Sequence, residues 1–192
     1  MKRILFPLLF VITTTVASAQ SFITAGFDGN GLSHTGIRLK YAHNISRLQF
    51  AAYGSVATGG LLKVGEQGQT STNGIAGISL NKVPDTTKGL NIYYGVSVEG
   101  LVHDYLAKNS GAHYIDPAIL FGPQLGINVF LSERFCFNAE WGIRAGINYG
   151  HVFHLGDVIG STSPSYYARE NSVLIYVPTT IGLTYRLGPG KK

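Results

Sequence analysis

Charge is scarce in this sequence. Asp, Glu, Lys and Arg make up 13% of its 192 residues, against about 25% in soluble domains. A chain surrounded by water needs charge over its surface, so something other than water faces much of this exterior. Spanning helices are not the answer. The longest apolar stretch, Ile4 to Val16, has thirteen residues, and a helical span needs about 20. Cysteine is nearly absent. The single Cys136 excludes an internal disulfide, and no lipid-accepting cysteine follows Ala19 to support a lipoprotein anchor. No run of five like charges occurs, and the formal net charge of +5 is scattered, which argues against nucleic acid as a partner. There is no P-loop, no dinucleotide glycine fingerprint and no paired-cysteine zinc motif. No cofactor, metal site or catalytic residue is therefore expected.

The N-terminus reads as a secretory signal. Lys2 and Arg3 form a basic start, the apolar stretch follows, and Ala17-Ser18-Ala19 supplies the small-x-small cleavage pattern. The expected division is a signal peptide over 1–19 and one domain over 20–192. Losing Lys2 and Arg3 takes the net charge from +5 to +3. Glycine is abundant, with 25 residues where the usual share is about 7%.

Beyond the signal, apolar residues recur at every second position, the period of a strand. From Phe135, one face carries Phe137, Trp141, Ile143, Ile147, Tyr149 and Phe153, and the other Asn138, Glu140, Gly142, Arg144, Gly146 and Asn148. The same alternation runs from Val173 to Leu187, from Ile119 to Leu131, from Leu90 to Glu99 and from Leu48 to Val56. It recurs in shorter form at Ile37–Tyr41, Ile23–Phe27 and residues 73–82. These segments predict eight strands. Their connections alternate between tight turns (His43 to Ser46, Pro84 to Gly89, Ser132 to Arg134) and longer polar loops (Asp28 to Ser33, Lys63 to Ser71, Leu106 to Asp116, Leu155 to Asn171). Short turns at one end and long loops at the other are the asymmetry of an outer-membrane barrel, with the short end in the periplasm.

A soluble barrel also alternates, with its apolar face inward. Two features favour the inverse here. The patterns from Phe135 and Val173 run fifteen residues or more, whereas soluble strands average about five or six and a membrane strand needs about 9–11. The second face is rich in Gly, Asn, Ser and Thr rather than Lys and Glu, which suits the cramped interior of eight strands. Tyr41, Phe130, Phe135 and Tyr185 are expected at the periplasmic rim, and Phe27, Tyr149 and Phe153 at the outer rim. Trp141 is expected nearer the middle. The fold class predicted is all-β, an eight-stranded antiparallel up-and-down transmembrane β-barrel.

Two stretches carry a family likeness: Ile119-Leu-Phe-Gly-Pro-Gln-Leu-Gly-Ile127 leading to Phe130-Leu-Ser-Glu-Arg134, and the closing Val177-Pro-Thr-Thr-Ile-Gly-Leu-Thr-Tyr-Arg-Leu187. With the eight segments they make the chain resemble the small bacterial outer-membrane β-barrels of the OmpA/OmpX-like and PorT-like kind. The resemblance implies a Gram-negative cell envelope, a place in the outer membrane beside lipid and lipopolysaccharide, and insertion by the barrel-assembly machinery, which reads the last strand. It carries no catalytic residues. Such barrels often end on an aromatic, whereas this strand ends at Leu187.

Arg38, Lys40, Glu99, Glu140 and Arg144 are expected to point into the lumen. Glu140 and Arg144 are four apart on one strand, roughly 13 Å at about 3.4 Å per residue, too far to pair. Counting from the turns puts Glu99 level with Arg144, and Glu140 level with Arg38. The expectation is a cross-lumen charge network that plugs the barrel, since buried charges need partners. Possible surface contacts are Lys108, Tyr114, Tyr166, Tyr167 and Arg169, because loops on a rigid scaffold usually carry specificity. A structural or surface-interaction role without a large pore follows, since aqueous channels need about 16 strands. One alternative is a lipid A-modifying enzyme using His151 or His154 with Ser161, Ser163, Ser165 or Glu170. The other is a soluble secreted barrel holding a small apolar ligand.

Overall fold

The computed structural model describes residues 20–30, 34–59, 70–84, 89–107, 112–154 and 166–187. The expected signal peptide lies outside them. All regular structure in the described residues is β: β1 (Gln20–Asn30), β2 (His34–Ile45), β3 (Leu48–Gly59), β4 (Thr70–Lys82), β5 (Leu90–Ala107), β6 (Ala112–Phe130), β7 (Phe135–Gly142), β8 (Arg144–His154), β9 (Tyr166–Tyr176) and β10 (Pro178–Leu187). Each segment pairs antiparallel with its neighbours. β7 and β8 form one crossing interrupted at Ile143, and β9 and β10 form another interrupted at Val177. The register runs unchanged across both gaps. There are thus eight crossings, and β10 pairs with β1 to close the sheet. This is the eight-stranded antiparallel barrel expected.

Both interruptions have a local cause in proline. Ile143 donates its N–H to the Pro123 carbonyl at 3.1 Å. An antiparallel pair normally returns a second bond, but Pro123 has no N–H to give. Pro178 opens β10 beside the same gap.

The alternation sorts side chains as the inverted pattern requires. Val173 is 76% exposed, Phe27 75%, Ile37 66% and Phe121 65%, while Arg144 and Glu99 are fully buried. The interior is not polar throughout. Ile75, Leu101, Ala118 and Leu120 also point inward and form an apolar layer with Tyr53 and Tyr176. Two inward tyrosines lie flat on cross-strand glycines. Tyr53 opposes Gly77 and Tyr93 opposes Gly126. A Cβ at either glycine would fall within the ring above it. These glycines are what allow large rings in a narrow lumen.

Several strands outrun their sequence limits. β1 continues through Asp28 to Asn30, where the sequence suggests a loop. β5 and β6 have 18 and 19 residues and stay paired up to Ala107 opposite Ala112. Backbone pairing persists past the apolar band, where alternation no longer marks it.

Replacing Gly126 with Ala must push the Tyr93 ring away. Its unfolding midpoint, read by heat-dependent gel mobility and by urea, is expected to fall by an amount worth about 1–3 kcal/mol. Gly29→Ala, whose nearest neighbour is the Thr179 carbonyl oxygen at 3.8 Å, should leave the midpoint nearly unchanged.

Candidate functional site

Strand parity brings charged residues of four crossings into one interior cluster. On β2, Arg38 and Lys40 alternate with the outward Ile37, Leu39 and Tyr41 and so both face inward, at 2% and 5% exposure. Glu140 reaches them from β7. Its Oε2 accepts from Lys40 Nζ at 2.5 Å and from the Tyr93 hydroxyl at 2.7 Å. Arg38 Nη1 stands 3.5 Å from Glu140 Oε1, and its Nη2 stands 3.4 Å from Asp28 Oδ2. These are ion-pair separations longer than hydrogen bonds, and Glu140 Oε1 has no hydrogen-bond donor. Asn138 donates to the Tyr93 oxygen at 3.0 Å and to Asn128 at 2.8 Å. The Lys40 ammonium also lies 4.9 Å from the centre of the Tyr93 ring.

A second group centres on Glu99 of β5. Arg144 Nε donates to its Oε1 at 2.8 Å, and the Tyr53 hydroxyl donates to the same oxygen at 2.7 Å. Tyr176 donates to its Oε2. Arg144 spends its remaining donors on the wall. Nη2 bonds Gln124 Oε1 at 3.0 Å, and Nη1 bonds the Pro123 carbonyl at 2.6 Å and the Ile143 carbonyl at 3.3 Å. The guanidinium thus supplies Ile143 with the donor that Pro123 lacks. From Gln124 the bonds run on to Asn81 at 2.6 Å and then to Gln49 at 3.1 Å. Tyr53 joins the two groups, because the Arg38 guanidinium stacks 4.5 Å above its ring.

Three cations (Arg38, Lys40, Arg144) meet three carboxylates (Asp28, Glu99, Glu140), so the network is formally neutral. Glu140 and Arg144 each pair across the barrel rather than with one another. Sequence reasoning missed Asp28, because it assigned that residue to a loop. It also passed over Tyr53, Tyr93 and Tyr176. Their signal was an aromatic on the polar parity of an alternating run.

Chemically, such an arrangement fills space and satisfies charges. Among the described residues, no three His, Cys, Asp or Glu side chains are grouped to hold a metal. Cys136 is buried on the inner face. His43 bonds the Ser21 hydroxyl at 2.9 Å, and His103 bonds Asn73. Lys108, Ser161, Ser163 and Ser165 lie outside the described residues, as do the side chains of His151, His154 and Glu170. The expected loop positions Tyr114, Tyr166, Tyr167 and Arg169 are corrected. They sit in paired strand ends, opposite Tyr105, His154, Phe153 and His151, because the β5–β6 and β8–β9 ladders extend beyond the apolar band. Their side chains are likewise outside the description.

No family model matches the chain, and no curated protein sequence does. Solved structures do. A major outer membrane protein from Thermus thermophilus superposes with a TM-score of 0.57 at 14% identity, over 88% of this chain and 100% of that one. OprG of Pseudomonas aeruginosa gives 0.55 at 13%, over 89% and 97%. Ail of Yersinia pestis, in complex with the heparin analogue sucrose octasulfate, gives 0.55 at 10%, over 88% and 99%. At these identities the likeness is one of fold.

Removing one partner of a buried ion pair leaves the other uncompensated, at a cost of about 3–5 kcal/mol. Glu99→Gln and Arg144→Met are each expected to destabilise by about that much in urea unfolding from lipid vesicles. The double variant should lose clearly less than the sum. Additive losses would show that the two residues act independently.

Proposed function

We propose that the chain is an exported outer-membrane barrel with a filled lumen and a structural or surface-interaction role. The observation that carries this reading is the inversion of polarity: a belt of exposed apolar side chains surrounds a closed sheet, while Asp28, Arg38, Lys40, Glu99, Glu140 and Arg144 are buried inside it. Closure suits lipid, because hydrocarbon offers no partner to an unpaired backbone group. The short turns and the β1 and β10 ends face the periplasm, and the longer connections face outward toward lipopolysaccharide. Insertion is by the barrel-assembly machinery, after removal of residues 1–19. The role assigned is neither catalysis nor bulk conduction, because a sheet of eight strands closes on an interior just wide enough for side chains. Surface recognition falls to Lys108, Tyr114, Tyr166, Tyr167 and Arg169 at the outer end. A protein of this fold, Ail, has been crystallised with a sulfated sugar, which makes an anionic glycan a reasonable first probe.

Fractionation should place the protein in the outer membrane, and the folded and boiled forms should migrate differently in detergent gels. A monomer folded in plain buffer would overturn the proposal. Planar-bilayer recording is expected to show no large stable conductance, and lipid A from a deletion strain should be unaltered. Ile78→Arg, on the lipid-facing side, should cost about 2–4 kcal/mol if it lies near the midplane and almost nothing if that face meets water.

A further inference from the structure

The buried arginines Arg38 and Arg144 are held differently. Arg144 gives its Nε to Glu99, its Nη1 to the Pro123 and Ile143 carbonyls and its Nη2 to Gln124. It lies so close to the wall that a Cβ at Gly142 would collide with it. Arg38 is also more than nine-tenths buried, yet its Nε and Nη2 have no hydrogen-bond acceptor. The carboxylate oxygens it faces stand off at 3.4 Å on Asp28 and 3.5 Å on Glu140. Stacking on the Tyr53 ring uses the face of the guanidinium and leaves its edge, where the N–H groups lie. Glu140 mirrors this. Its Oε2 takes both Lys40 and Tyr93, and its Oε1 has no donor. Ser55 stands directly opposite Arg38, and the Cβ atoms of such a pair lie about 4.5–5.5 Å apart. Its buried Oγ is unpartnered too. The inner face leaves room here. Gly36 is the inward residue before Arg38 on β2, and Gly26 and then Gly182 stand beside it on β1 and β10, so none of the three puts a side chain into the space.

We propose that Arg38, Glu140 and Ser55 enclose a binding site for ordered water inside the barrel. The water oxygen accepts from the Arg38 edge, and its hydrogens go to Glu140 Oε1 and to Ser55 Oγ. Water suits the site because the open atoms are of both kinds, donors on Arg38 and an acceptor on Glu140. A cation there would meet the Arg38 guanidinium, and an anion would meet the carboxylates of Glu140 and Asp28. Leaving charged groups buried and unbonded is costly, whereas a bridging water serves them nearly as well as a direct bond, for a modest loss of entropy. A buried water makes about three hydrogen bonds, the number that Arg38, Glu140 and Ser55 together supply. The charge network therefore has two unlike halves. Arg144 is locked dry into the wall, and Arg38 reaches its carboxylates through solvent. The inference concerns the lumen alone and holds whatever medium the exterior meets.

The test uses the full mature barrel, folded in detergent micelles and labelled with nitrogen-15. Cross-relaxation from water to the arginine Nε–H groups reports which guanidinium touches bound water. Arg38 is expected to give a direct water cross-peak and Arg144 none, each resonance being assigned by its loss in Arg38→Lys or Arg144→Lys. Ser55→Val removes the hydroxyl and fills the space with methyl groups, so it should abolish the Arg38 cross-peak and leave Arg144 unchanged. If that variant fails to fold, Ser55→Ala, which removes only the hydroxyl, should weaken the same cross-peak. A crystal structure grown with bromide identifies the occupant. Water within hydrogen-bond distance of Arg38 and Glu140, without an anomalous signal, supports the site. Four results overturn it: no water contact at Arg38, an equal contact at Arg144, a cross-peak indifferent to the Ser55 variants, or a bromide ion in the space. Direct hydrogen bonds from Arg38 to both carboxylates, with no water between, overturn it as well.

Discussion

Between β1 and β10 an unbroken ladder, from Ser21 opposite Leu187 to Asn30 opposite Pro178, joins the first and last strands of the sheet. Without that seam the sheet would have two free edges, each a row of N–H and C=O groups needing partners. With it, the wall answers its own backbone polarity, and the side chains alone decide what each face meets. The seam also fixes the narrowness of the interior. A sheet of eight strands closed on itself leaves room for side chains and little else. The charges that parity turns inward must therefore neutralise one another at close range.

Wall and interior depend on each other most clearly at Arg144. The prolines at 123 and 178 weaken one stretch of the sheet, and a buried guanidinium repairs part of it while holding Glu99. The same logic governs Tyr93. Its ring covers the bare backbone of Gly126, and its hydroxyl serves Glu140. Each of these residues is at once a structural filler and a member of the charge network.

Much of this was readable in advance. Leu183, Ile181 and Tyr185 against Thr180, Gly182 and Thr184 already state the register of the last crossing, because a strand's period of two leaves no other arrangement of faces. Counting from the turns also set Glu99 level with Arg144. Residues whose roles come from neighbours across the lumen were not readable. Nothing local marks Gly126 as the seat of a ring, or Asp28 as a partner for Arg38. Leu120 and Ile75 break the polar pattern of the inner face, and only their contact with Leu101 and Tyr176 explains them. The prolines were visible as letters, but their effect depended on which residue stood opposite.

The β5–β6 hairpin is longer than any bilayer requires. Nineteen residues in β6 extend about 60 Å at about 3.3 Å each, and even when tilted they overtop the hydrocarbon by a wide margin. The hairpin therefore stands as a braced post, its two legs hydrogen-bonded to Ala107 and Ala112. On the outer-membrane proposal, the last paired residues of that hairpin stand clear of the hydrocarbon on the side away from the short turns.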